Sequence, residues 1–165
     1  MEKAQIRLLG VTFILLLAMG TSTGVPYAHA GSIEARGTGA DTSFTIVSAK
    51  IVRDKTVLTV TGSGVVDGDF TGTYTFGGTI TIDSTGNAVY SVIDVCACTI
   101  MGKSGTVVVE EKGSGTTGGQ FNANLKIIKA KGGLAGLSGT GTLQGTQDPA
   151  TLLTSWTYVM YIQFS

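Results

Sequence analysis

Histidine is almost absent from this sequence, and the single one, His29, lies in a segment that we expect to be removed. A Ser-His-Asp or Cys-His nucleophile system and a His-ligated metal site are therefore excluded from the remaining chain. Charged residues are only 13% of the 165, and 11 basic residues balance 11 acidic ones. Without a basic patch, nucleic acid is not an expected partner. Two cysteines allow one internal disulfide at most, so this is not a disulfide scaffold.

The first 30 residues have the features of a secretory signal. Charged residues near the start precede the apolar run Leu8–Met19, and the segment ends with small residues at Ala28 and Ala30, which suits signal peptidase. The apolar run is too short to span a bilayer. We expect cleavage after Ala30, which leaves residues 31–165 as one secreted domain with no stable membrane span.

What remains is rich in glycine, threonine and other β-branched residues, which predicts an all-β fold. The alternation is clearest from Phe70 to Ile82, where the even positions are apolar or glycine and most odd positions are threonine. The pair Gly77-Gly78 inside this run predicts a bend or bulge.

About eight strands are predicted, joined mostly by short turns. Their spacing is typical of a β-sandwich or a closed barrel. Closure removes the edge strands, so we favour an antiparallel eight-stranded β-barrel, whose interior is filled by side chains or holds one small ligand. The predicted strands are Thr42–Arg53, Thr56–Val66, Phe70–Ile82, Ala88–Met101, Thr106–Lys112, Gln120–Lys129, one within Gly132–Gly145, and Leu152–Phe164.

The segment Gly132–Gly141, which reads GGLAGLSGTG, resembles the G-x-L-x-G-L-x-G-x-G signature of allene oxide cyclase-like barrels, which are also similar to dirigent proteins. Gly102–Val109 resembles the G-x-S-G-[ST] segment of an uncharacterised, largely bacterial family in that group, which is the closest likeness. The resemblance implies an antiparallel barrel whose lumen, in the enzyme members, takes an apolar small molecule. No motif here matches the catalytic residues of the cyclases, so we assign no catalytic residue.

The unusual local feature is Asp94-Val95-Cys96-Ala97-Cys98, because period 2 puts Tyr90, Asp94, Cys96 and Cys98 on one strand face. The cysteines could be packing thiols or a plain disulfide, ligands of a soft metal with Asp94, or a redox pair. Residues i and i+2 of a strand lie about 6.6 Å apart, so a bridge would need a local bulge. We favour the structural interpretation and expect no cofactor.

Six aromatic residues face the predicted interior and are candidates for a ligand site. They could line a cavity or simply fill the core. Glu110-Glu111-Lys112 is interpreted as a solvated strand end. The six candidates are Phe70, Tyr74, Phe76, Phe121, Trp156 and Tyr158.

Our leading hypothesis is a secreted, non-catalytic barrel that binds a small apolar molecule or serves as a structural or interaction module. A cyclase or isomerase with Tyr90 or Asp94 as acid or base is the first alternative, and a metal or redox protein built on Cys96 and Cys98 is the second. Val159 and Tyr161, on the outer face of the last strand, leave room for a homo-oligomer.

Overall fold

The computed structural model describes residues 31–165, and these form eight antiparallel strands in a closed barrel, as predicted. The expected signal segment lies outside the described residues. Within residues 31–165 no helix is long and apolar enough to cross a bilayer. The strands are β1 (Ile33–Val52), β2 (Lys55–Gly68), β3 (Phe70–Ile82), β4 (Asn87–Ile100), β5 (Lys103–Thr116), β6 (Gln120–Gly132), β7 (Leu137–Gln147) and β8 (Thr154–Phe164).

Each strand pairs with its neighbours in sequence, and the pairing of β1 with β8 closes the ring. This closing ladder runs from Ile33 opposite Ile162 to Ala40 opposite Ser155. Successive side chains of a strand point to opposite faces, so every second residue faces the lumen. The alternation in the sequence therefore decides which residues meet inside the barrel.

Several strands are longer than the sequence indicated. β1 begins at Ile33 rather than Thr42, and β5 continues to Thr116 through a segment predicted to be a glycine-rich loop. Pairing persists there because Gly113 and Gly115 lie where a Cβ atom would collide with Tyr90 and Phe121 on the neighbouring strands. The glycines of β5 thus make room for aromatic side chains rather than breaking the strand.

The bulge predicted at Gly77-Gly78 is not there. β3 pairs with β2 and with β4 without a shift in register, and Gly78 instead allows close approach to the backbone of β4. The register shifts lie elsewhere, in β1 between Asp41 and Ser43 and between Ile46 and Ser48, and in the pairing of β5 with β6. The first of these bulges changes which residues of β1 face the lumen.

One end of the barrel is closely packed. Ile100, Leu134, Met160 and Ile162 are at most 2% exposed there. Leu134 comes from the turn between β6 and β7, which is flanked by Gly132 (φ 68°) and Gly136 (φ 82°). Only glycine adopts such φ values without steric cost, so these two residues allow the turn to carry Leu134 into the barrel end.

Candidate functional site

The remainder of the lumen is a cavity of about 340 Å³. It extends from the packed layer to the opposite end of the barrel, where its wall includes Ile46, which is 45% exposed. Its volume lies at the lower end of the range of small-molecule sites in proteins. All six aromatic candidates line it, namely Phe70, Tyr74, Phe76, Phe121, Trp156 and Tyr158. Their role in binding a ligand stays a prediction.

The aromatic rings form two groups on the cavity wall. In the larger group, Tyr74 lies at the centre, with its ring centroid 5.9 Å from that of Trp156 and 6.3 Å from that of Phe76. Phe44 extends this group with its ring centroid 6.2 Å from that of Phe76, and Tyr158 extends it at 6.1 Å from that of Trp156. The smaller group is an edge-to-face pair of Tyr90 and Phe121, 6.2 Å apart. Such distances are typical of favourable aromatic contacts.

Most of these rings lie over a glycine on the paired strand. Tyr74 is directly opposite Gly64 and Tyr90 is opposite Gly113, and a Cβ atom at either glycine would collide with the ring. These glycines were predicted only as part of the glycine-rich composition or, for Gly113, as part of a loop. On a strand these glycines recur at every second residue, and each pairs with an aromatic residue on the neighbouring strand. That pattern could have shown from the sequence that they make room for the rings. The further pairs are Gly37 with Tyr158, Gly39 with Trp156, and Gly62 with Phe76.

Three carboxyl groups share the cavity with the rings: those of Asp41, Asp94 and Glu111. Only Asp94 was a candidate from the sequence. The interpretation of Glu111 as part of a solvated strand end is wrong, because Glu111 faces inward. Its neighbours Glu110 and Lys112 face outward and form an ion pair of 2.7 Å. The alternation of β5 was sufficient to place Glu111 on the inner face.

Two of the three carboxyl groups have hydrogen-bond donors. Asp41 accepts hydrogen bonds from the Tyr74 hydroxyl at 2.6 Å and from the Thr154 hydroxyl at 2.7 Å. Glu111 accepts one from the Tyr90 hydroxyl at 2.7 Å. Among residues 31–165, no side chain or backbone group donates to Asp94 and none forms an ion pair with it. Asp94 is therefore the carboxyl group of the cavity without a partner.

Burial raises the pKa of each of these carboxyl groups. For Asp94 burial is the largest cause, the negative charges of Glu111 and Asp41 add to it, and the pKa rises to about 8. For Glu111 burial again dominates and exceeds the opposing effect of the Tyr90 hydrogen bond, which brings the pKa to about 7. Burial also raises the pKa of Asp41, although its hydrogen bonds act in the opposite direction. The cavity thus holds groups that change charge near neutral pH.

Cys96 and Cys98 are joined in a disulfide whose two Cα atoms are 5.4 Å apart. Both residues line the cavity, as their shared face predicted. The bulge expected for such a bridge is not seen, since β4 pairs with β3 and β5 without a register shift. Because the bridge uses both sulfur atoms, a metal site would require its reduction. Within residues 31–165 no three metal-binding side chains cluster together.

The loop between β7 and β8 lies at the mouth of the cavity. Leu152 in this loop lines the cavity with φ 62°, which is uncommon for a residue with a side chain. Its carbonyl accepts a hydrogen bond of 3.1 Å from the Gln147 amide, and Asp148 accepts hydrogen bonds from the backbone N–H groups of Ala150 and Thr151. These bonds hold Leu152 at the entrance.

The family of proteins of unknown function called DUF3224 matches residues 45–154 of the chain. The chain belongs to this family. The matched region contains Asp94 and Glu111, whereas Asp41 precedes it. A solved structure of a DUF3224 protein of unknown function from Shewanella oneidensis MR-1 is similar, with 16% identity and a TM-score of 0.63. The match covers 81% of this chain and 98% of that one.

At this level of identity the likeness to the Shewanella structure shows the fold alone. No curated protein matches the sequence. The likeness to the Shewanella structure therefore shows an architecture, and the function of the cavity depends on the residues that line it.

Proposed function

We propose that this DUF3224 protein is an exported, non-catalytic barrel that binds a small, largely apolar molecule in its lumen. The observation that carries the proposal is the cavity of about 340 Å³, walled by aromatic and aliphatic side chains. Protein interiors are close-packed and leave few voids larger than a water molecule. A void of this size with converging polar groups is the usual form of a small-molecule site.

Two sequence features support the same proposal. The resemblance to allene oxide cyclase-like and dirigent-like barrels implies a lumen that accepts an apolar molecule, and we include membership of that wider group in the proposal. The signal-like segment of residues 1–30 supports export.

The test is saturable binding of an apolar probe, 1-adamantanemethanol, followed by the fluorescence of Trp156, the single tryptophan, and by calorimetry. The saturated hydrocarbon cage does not absorb where tryptophan emits. Val92→Phe projects into the cavity, and we expect it to weaken binding about tenfold or more by occupying the space. The control is Ile93→Phe on the same strand, because Ile93 faces outward. Non-saturable binding, or equal loss in both variants, would contradict the proposal.

A cyclase or isomerase is the second candidate, and the state of Asp94 favours it. An unpartnered carboxyl group whose pKa lies near neutrality can donate or accept a proton at physiological pH. Tyr90, the other acid or base candidate, is bound to Glu111, and its own pKa is raised by burial and by that neighbour. If the wild type converts a bound apolar molecule into a product, and Asp94→Asn binds the same molecule without converting it, the enzyme is favoured over the binding protein.

A thiol-redox function is the third candidate, supported only by the disulfide that faces the cavity. Mass analysis after alkylation, with and without prior reduction, shows whether the bridge responds to mild reductants. A change in probe affinity on reduction would connect the bridge to the lumen.

We also retain self-association as a proposal. Val159 and Tyr161 lie on the outer face of β8, where both are half-buried in the isolated barrel. Sedimentation of the wild type and of Val159→Asp distinguishes a monomer from a dimer that uses this face.

A further inference from the structure

The ionisable side chains around the cavity are all acids. From β1 comes Asp41, from β3 Tyr74, from β5 Glu111 and from β8 Tyr158, and β4 contributes Tyr90 as well as Asp94. No lysine, arginine or histidine is among the residues that line the cavity. The ion pairs of residues 31–165, Arg36 with Glu34 and Lys112 with Glu110, are on the outer surface. Residues 31–165 therefore supply no positive charge to the lumen.

Ionisation of a carboxyl group in a cavity without positive charge has a high free-energy cost. Burying a charge without a partner is unfavourable, and hydrogen-bond donors or a counter-ion reduce the penalty. Asp41 and Glu111 have such donors, but Asp94 has none within the described part of the chain. Asp94 also lies near the middle of β4, with Glu111 as a diagonal neighbour on β5, where Val109 is directly opposite Asp94. What Asp94 lacks is a positive group beside it.

The wall next to Asp94 is suited to hold that positive group. Phe76 is directly opposite Asp94 on β3, and its ring contacts those of Phe44 and Tyr74, with Trp156 beyond Tyr74. Aromatic faces attract cations, and the attraction is strongest where water is excluded. A carboxylate together with several aromatic faces favours an organic ammonium group over a neutral or anionic one.

We propose that the cavity selects a lipophilic cation, a small apolar molecule whose protonated amine or quaternary ammonium group lies against Asp94. The inference rests on the proposed lumen-binding function and specifies the ligand class of that site. The apolar part of the ligand occupies the aromatic and aliphatic wall, and the cationic end lies between the Asp94 carboxylate and the Phe76 ring. Asp41 and Glu111 keep their hydrogen bonds to Tyr74 and Tyr90.

Such binding is coupled to a proton. Burial and the neighbouring acids hold Asp94 protonated in the empty cavity up to about neutral pH. A bound cation favours the carboxylate, so binding below the raised pKa releases a proton. Affinity for the cation should therefore increase with pH, whereas affinity for a neutral molecule of the same shape should not.

The experiment compares three probes that share one hydrocarbon cage: 1-adamantanemethylamine, 1-adamantanemethanol and 1-adamantanecarboxylate. Near pH 8.5 we expect the amine to bind about tenfold or more tightly than the alcohol, with the carboxylate weakest. Near pH 5.5, where the amine is still protonated but Asp94 is neutral, the preference for the amine should fall to about threefold or less. Calorimetry of the amine at about pH 7, below the raised pKa of Asp94, in buffers of different ionisation enthalpy should show proton release.

Two variants test the residue assignment. Asp94→Asn should remove most of the preference for the amine and reduce proton release, while binding of the alcohol is retained. Glu111→Gln should reduce the preference by a smaller factor, because Glu111 acts from a diagonal position. Glu110→Gln is the matched control, since it removes one negative charge from the outer face of the same strand.

The results distinguish selection of a cation from the more general binding of apolar molecules in the lumen. Equal affinity for amine and alcohol at both pH values overturns the cation inference and leaves the lumen-binding function intact. Failure of every probe to bind contradicts the lumen-binding function itself. If Asp94→Asn does not fold, the pH series and the buffer series on the wild type decide the question.

Discussion

Asp94 is one of the three carboxyl groups that determine the charge of the lumen. It lines the cavity, lies directly opposite Phe76 on the paired strand β3, and has no hydrogen-bond donor among residues 31–165. The other two lumen acids are held by tyrosine hydroxyls. Protonation of Asp94 therefore removes the negative charge of the cavity that no hydrogen-bond donor stabilises.

The first prediction concerns stability and pH. The pKa of Asp94 is raised in the folded state from its ordinary value of 3.8 to about 8. The folded state therefore binds the proton more tightly than the unfolded chain. This contribution to stability is present below about pH 4 and is lost as pH rises towards 8. Urea denaturation of the ligand-free protein should show a smaller free energy of unfolding near pH 8.5 than near pH 5.

The same measurement on Asp94→Asn isolates this residue. At about pH 8.5 the variant should be more stable than the wild type by roughly 1–3 kcal/mol, because it no longer ionises in the cavity. Near pH 4.5 the two should differ little. Glu110→Gln, on the outer surface, should change the pH profile much less. A wild-type profile that is flat between these pH values would contradict the placement of Asp94.

The period-2 pattern of the sequence predicted several of the side chains that line the cavity. It put Tyr90, Asp94, Cys96 and Cys98 on one face and turned the six aromatic candidates inward, and all of them line the cavity. It did not give Asp41, which contacts Tyr74 across two strand pairings. That contact depends on the curvature of the wall, which a sequence pattern does not contain.

Paired glycine and aromatic residues determine how the wall of the barrel is built. A ring on one strand lies over the bare backbone of a glycine on the next, as Tyr74 does over Gly64. The ring covers backbone that a side chain would otherwise protect, and the arrangement also fixes the register of the two strands. The orientation of Tyr74 towards Asp41 follows from the space at Gly64.

Two glycine substitutions test this arrangement as a matched pair. In Gly64→Ala the new methyl group meets the Tyr74 ring and the Ala40 carbonyl, so we expect destabilisation of about 1–3 kcal/mol and weaker probe binding. In Gly77→Ala the methyl group has ordinary van der Waals room, so stability should stay the same or increase by up to about 1 kcal/mol. Thermal and urea denaturation of both variants provide the comparison. Equal effects would mean that the rings do not depend on the glycines.

The boundaries of the strands show where sequence patterns are sufficient. β3 has the predicted bounds because its alternation is unbroken and turn residues flank it. The predicted strand for β5 ended too early, at Lys112, because Gly113 and Gly115 are typical of loops. In the structure these glycines accommodate aromatic neighbours. The bulge after Asp41 has no sequence signature, yet it places Thr42 and Ser43 both outside and brings Phe44 inward.

The barrel as a whole has a packed end and an open end. The fully buried Leu134 lies at the packed end, within the glycine-rich segment that resembled the allene oxide cyclase-like signature. Leu134 does not line the cavity. The segment therefore closes one end of the barrel and contributes to the fold rather than to the cavity.

We expect Leu134→Ala to lower the free energy of unfolding by about 2–4 kcal/mol, because it leaves a void in the packed end. Probe affinity should stay within about twofold of the wild type as long as the variant is folded. The control is Ile128→Ala, which removes a side chain that is 50% exposed and should cost well under half as much. A large loss of affinity in folded Leu134→Ala would mean that the packed end and the cavity are not independent.

The spacing of turns predicted about eight strands in a sandwich or a closed barrel, and the cost of exposed edge strands favoured the closed barrel. The size of the cavity could not be predicted in the same way, because it depends on how far the large side chains of opposite strands reach across the lumen. Phe76 and Trp156 would fill a narrower barrel and only line a wider one.

The pairing of β1 with β8 also has a consequence for the order of folding. Every other strand pair joins neighbours along the chain, whereas the closing pair brings Gly37 next to Tyr158. Hairpins close short loops at low entropic cost, so we expect them to form early and the β1–β8 pairing to form last. The lumen exists only once that pairing is made. We therefore expect a ligand held inside to stabilise the closing pair, so that the backbone amides of β1 and β8 gain the most protection from hydrogen exchange when the cavity is occupied.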